Sequence, residues 1–132
     1  MARWRDAGGW TLIELVIVVS LITVLSTIAL VGYGSAVKRS REAVLKEDLF
    51  RMRDAIDQHY ADVGEYPSGL DALVARGYLR AIPEDPFTRS PDTWVLVPAE
   101  MDAANPLLSQ GIYDVKSGSE EVALDGTYYR DW

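Results

Sequence analysis

The sequence has no cysteine, so a disulfide framework, a thiolate zinc site and a cysteine nucleophile are all excluded. It has one histidine, His59, which rules out chemistry built on paired histidines. Positive charge is also scarce. The formal net charge is −7, and no basic patch is large enough to track a phosphate backbone, so nucleic acid is not an expected partner. No nucleophile–base set and no glycine-rich phosphate loop is present, which argues against an enzyme.

What is present is one long apolar run. Residues 10–31, WTLIELVIVVSLITVLSTIALV, carry a single charge, Glu14. Roughly 22 residues at about 1.5 Å each give about 33 Å, enough to cross a hydrocarbon core of about 30 Å. Ser20, Thr23, Ser26 and Thr27 are tolerable there, because hydroxyls bond back to the helix. A secretory signal peptide has a shorter apolar region followed by a small-x-small cut site. Here the small pair, Gly8-Gly9, precedes the run. A plain signal anchor accounts for the run but not for Glu14. A carboxylate inside a bilayer costs up to about 2.5–3.5 kcal/mol at the centre of a span, and less near its end.

Beyond the glycines of VGYGS, the segment SAVKRSREAVLKEDLFRMRDAIDQHYADVG changes character. Leu45, Leu49, Met52, Ile56, His59 or Tyr60, and Val63 recur at three- and four-residue steps, the stripe of an amphipathic helix, and Gly64 is placed to stop it. One helix is therefore expected from residue 10 to about 63. In YPSGLDALVARGYL, Ser68 is placed to cap a short helix with Asp71 at its third position, and Gly77 to end it. IPEDPFTRSPD reads as loop. TWVLV (93–97), GIYDV (111–115) and TYYRDW (127–132) have strand composition. A polar, proline-containing loop joins the first two, and KSGSEEVALDG joins the last two. The expected fold class is α+β, a long helix covering a small antiparallel sheet of about three strands. Four segments follow: a short, polar, weakly basic stretch at 1–9, an apolar, transmembrane helix at 10–34, an amphipathic helix at 35–63 and a small α/β head at 64–132.

The series Gly9-Trp10-Thr11-Leu12-Ile13-Glu14, behind a short basic leader and opening an apolar run, resembles the processing signature of type IV pilin-like proteins. Trp10 stands where phenylalanine is usual. GEYPSGLDALV, then YL, IPEDPF and GIYDVKSGS, resemble the major, G-type pseudopilin of type II secretion systems along nearly the whole chain. The resemblance implies a structural subunit held in the bacterial inner membrane as a single pass, with its C-terminal head in the periplasm. A prepilin peptidase would cut after Gly9, and the new amine on Trp10 would be methylated. The subunit would then join identical subunits and minor pseudopilins in a periplasmic pseudopilus, raised on an inner-membrane assembly platform, that drives exoproteins outward. Glu14 would pair with the Trp10 amine of a neighbour, or with that of its own chain, since a carboxylate and an ammonium that both leave water stabilise each other only as a pair; the plain alternative is a carboxylate near the interface that reaches water.

Other readings remain. The pilin-like motifs also fit a type IV pilin used for adhesion, motility or DNA uptake. The anchor alone fits a non-assembling, membrane-anchored periplasmic binding domain. G-type pseudopilins bind calcium in their C-terminal loop, and by that resemblance Ser117, Asp125 and Asp131 are the candidate ligands here, in a loop shorter and poorer in glycine than the family's. His59 and Met52 read as stripe residues, and the charges between Lys38 and Arg53 as a solvated face or as salt bridges between subunits.

Overall fold

A computed structural model describes Gly9 and residues 11–100 and 111–132. The elements run in the order α1 (Leu12–Val63), α2 (Leu70–Ala75), β1 (Val95–Pro98), β2 (Ile112–Lys116) and a 3-10 turn at Tyr129–Asp131. The chain falls into two compact units, Met1–Val37 and Lys38–Trp132, with the division inside α1.

In the first unit α1 is apolar all round, and its large side chains from Leu12 to Tyr33 are exposed apart from the half-buried Val18. Backbone polarity is satisfied within the helix, and the hydroxyls of Ser20, Thr23 and Thr27 donate to the carbonyls of Val16, Val19 and Thr23 at 2.7, 2.8 and 2.8 Å. Inward-folded hydroxyls are what a helix surrounded by lipid needs. α1 continues unbroken through Gly32 and Gly34. Among the described residues it is the one helix long and apolar enough to span a membrane.

In the second unit α1 is one-sided. Leu45, Leu49, Met52, Ala55, Ile56 and His59 are buried. Of the two candidates at the end of the stripe, His59 turns inward while Tyr60 and Val63 stay partly exposed. Gly64, at φ 79°, ends the helix and donates to the Tyr60 carbonyl at 2.8 Å. The stripe forms one core with Leu70 and Leu73 of α2, Ile112 and Val115 of β2, Trp94, Ala123 and Tyr129.

Three local expectations change. The α2 N-cap is Gly69, in extended conformation and with no side-chain cap bond. Ser68 therefore lies one position too early to cap it. The sheet has two strands instead of about three. Residues 127–132 do not extend alongside β2. Gly126, at φ 88°, folds the chain back on itself, Ala123 donates to the Thr127 carbonyl at 2.7 Å, and Val122 and Tyr128 form an isolated bridge. The chain then tightens into the 3-10 turn, because Tyr129 is drawn into the core and stacks on Phe87 at 3.9 Å between ring centroids. The polar loop expected between β1 and β2 falls on residues 101–110, outside the described residues.

The pairing of β1 with β2 is antiparallel, Val95 opposite Lys116, Leu96 opposite Val115 and Val97 opposite Asp114, but Pro98 lies opposite Ile112. Tyr113 is thus an extra residue in β2. Such a bulge reverses the alternation of faces, so Ile112 and Val115, three apart, both reach the core.

Adjacent positions on α1 give a test. Leu49 is buried and Phe50 is exposed. Leu49→Ala is expected to cost about 2–5 kcal/mol, and Phe50→Ala within about 0.5 kcal/mol of nothing. Denaturant unfolding of the full chain in detergent checks the contrast.

Candidate functional sites at the two ends of the chain

At the N-terminal end, Gly9 is exposed, and Trp10 lies outside the described residues together with residues 1–8 of the leader. Thr11 precedes the first turn of α1, and its hydroxyl accepts the Glu14 amide N–H at 3.2 Å. Thr11 is therefore the helix cap and Glu14 occupies the third helical position. T-x-x-E is the capping-box series, and a carboxylate in the first turn is favoured by the positive end of the helix dipole. The T-x-x-E spacing that carries this cap is present in the sequence itself. The Glu14 side chain is exposed in the single chain.

At the C-terminal end, the three candidate calcium ligands have different surroundings. Ser117 is fully buried, and its hydroxyl donates to Asp85 Oδ2 at 2.5 Å while accepting the Ser119 amide N–H at 3.1 Å. Asp85 is itself fully buried, and its Oδ1 accepts the Phe87 and Thr88 amide N–H groups at 2.9 and 3.4 Å. Asp125 is exposed, and its Oδ1 accepts both the amide N–H and the hydroxyl of Thr127, at 2.9 and 2.6 Å. The Thr127 hydroxyl and amide hold the Asp125 carboxyl below its usual range. Asp131 is exposed in the 3-10 turn. Calcium needs about six to eight oxygens converging on one point. Here Ser117 faces the interior, Asp125 closes its own turn, and among the described residues no three acidic or histidine side chains are grouped to hold a metal. Among the described residues, Ser117, Asp125 and Asp131 thus do not converge as such a donor set.

Three residues from the charged stretch between Lys38 and Arg53 reach this loop or the chain on either side of it. Lys38 Nζ donates to the Val122 carbonyl at 2.6 Å. Glu42 Oε1 accepts the Leu124 amide N–H at 2.7 Å and the Tyr129 hydroxyl at 2.8 Å. Arg53 donates from Nε to Asp114 Oδ1 at 2.6 Å and from Nη2 to the carbonyls of Val115 and Trp132, both at 2.9 Å. Arg51 pairs with Glu47 one turn away on α1 at 2.9 Å. His59 packs as a stripe residue, with Nδ1 2.9 Å from the Glu65 carbonyl and its ring edge-on to Tyr78.

An apolar helix of spanning length, continued as the one-sided core helix of a small α+β head, defines a pilin-like subunit. Comparison with known proteins narrows the class. Core protein G of the type II secretion system of Pseudomonas aeruginosa is 30% identical over 99 residues, covering 63% of this chain and 70% of that protein. The protein of the same name from Escherichia coli is 26% identical over 129 residues, 86% of each chain. The fimbrial protein EcpC of Eikenella corrodens is 33% identical over 79 residues, 56% of this chain and 52% of its own. No family model and no solved structure matches. The chain belongs to the family of type II secretion system core protein G.

The Tyr129 hydroxyl titrates late. Burial, then the hydrogen bond to Glu42, push its pKa well above the usual 10. A raised pKa favours the protonated form in the fold, so the stability it contributes is complete below about pH 10 and is lost as pH rises above that. In an alkaline absorbance titration, one of the seven tyrosines is expected to ionise after the rest, together with unfolding. Glu42→Gln should bring that step down in pH.

Proposed function

We propose that the chain is the pseudopilin subunit of a type II secretion system, anchored in the inner membrane by α1 with its Lys38–Trp132 head in the periplasm. The observation that carries the reading is the exposed first half of α1, apolar but for Glu14 and a few hydroxyls, in a chain with relatives named for that system. Lipid covers such a surface before assembly. After it, only the same surface of identical subunits can. The subunit is not an enzyme. Its work is polymerisation into a pseudopilus, with minor pseudopilins and an assembly platform as further partners. A pilus subunit is the second reading, favoured by the similarity to a fimbrial protein.

In the mature protein a prepilin peptidase removes residues 1–9 and Trp10 bears the new, methylated amine. Glu14 pairs with that amine on a neighbour and fixes the register between subunits. Mass spectrometry of the assembled protein is expected to find a methylated Trp10 at the N-terminus. An intact Met1 leader on assembled protein would refute the processing.

Two substitutions separate the roles of Glu14. Glutamine retains the capping-box geometry but carries no charge. Alanine loses both. Either should be inserted and cut but assemble poorly, because an unpaired ammonium buried in an apolar filament costs on the order of 3–5 kcal/mol. Sheared filament yield is the measurement, compared with the membrane pool. Wild-type yield from Glu14→Gln with loss in Glu14→Ala would reduce Glu14 to a helix cap.

A further inference from the structure

We propose that the C-terminal loop, residues 117–129, is held without calcium, and that Lys38 of α1 is its built-in cation. A bound calcium ion would close such a loop by drawing main-chain carbonyls and side-chain oxygens onto a positive charge. Lys38 supplies a positive charge of its own. Its ammonium takes the Val122 carbonyl at 2.6 Å and lies 6.0 Å from the centre of the Tyr129 ring. One helical turn further, Glu42 takes the Leu124 N–H and the Tyr129 hydroxyl on a single oxygen. A cation and an anion four residues apart on one helix thus grip a carbonyl and an amide two residues apart in the loop. The ammonium also repels any second cation that would need the same carbonyl.

The rest of the loop closes on itself in the same direct manner. Asp85 receives the Ser117 hydroxyl, Ser117 Oγ receives the Ser119 N–H, and Ser119 Oγ receives the Glu121 N–H at 3.2 Å. The Glu121 carbonyl accepts the Tyr129 N–H at 3.2 Å. No buried side-chain nitrogen or oxygen among the described residues is left without a partner. Close packing fixes the start of the loop as well, since a Cβ on Gly118 would fall on the Thr93 carbonyl oxygen. The inference concerns the folded head alone and stands whether or not the chain polymerises.

The test uses the full chain in detergent. Thermal midpoints in calcium and in excess chelator are expected to coincide. Hydrogen exchange at the Leu124 amide should quicken about tenfold or more in Glu42→Ala, while the amides of β1 and β2 keep their rates. Lys38→Met should lower the midpoint equally with and without calcium, and Lys38→Arg should restore most of it. A midpoint raised by calcium in the parent chain would overturn the proposal. So would parental Leu124 exchange in Glu42→Ala together with a parental midpoint in Lys38→Met.

Discussion

The head depends on the burial of one stripe of α1. Two strands of four and five residues cannot stand alone in water. Leu45, Leu49, Met52 and Ile56 give them a surface to pack on, and each fully buried side chain of this kind contributes about 1.5–3 kcal/mol. Everything else in the unit is arranged to reach that stripe. The bulge at Tyr113 turns both Ile112 and Val115 toward it. The 3-10 turn drives Tyr129 into it, and Trp94 joins it while donating its indole N–H to the Pro83 carbonyl at 2.8 Å.

The same helix meets a different requirement before Val37. There no face is covered by the chain itself, and the hydroxyls fold back on the helix. The transition is written in the sequence as a change from an unbroken apolar run to a three- and four-residue period. Helix length, the stripe and its stop at Gly64 were therefore legible, since each rests on local spacing. Family membership was legible too, from the series opening at Gly9 and from GIYDVKSGS.

What the sequence hid is long-range. Composition cannot distinguish a strand at 127–132 from a hairpin and 3-10 turn when the deciding event is the insertion of one tyrosine into a distant core. Lys38, Glu42 and Arg53 looked like a solvated face because their partners lie 84, 82 and 61 residues away. Ser117 looked like a loop ligand because nothing local reveals that Asp85, 32 residues earlier, is buried beside it. Glu14 is the opposite case. There the cap rests on local spacing, Thr11 three residues before the carboxylate.

The grip of Lys38 and Glu42 makes the loop a gauge of helix continuity. Both side chains leave α1 within a single turn, at the start of the unit that carries the head. A turn of α-helix rises 5.4 Å, whereas a hydrogen bond is lost with a stretch of well under 1 Å. Unwinding at residues 38–42 would therefore release the Val122 carbonyl, the Leu124 N–H and the Tyr129 hydroxyl together. Mechanical load on this turn would be read out at the C-terminal surface, 82 or more residues away in sequence.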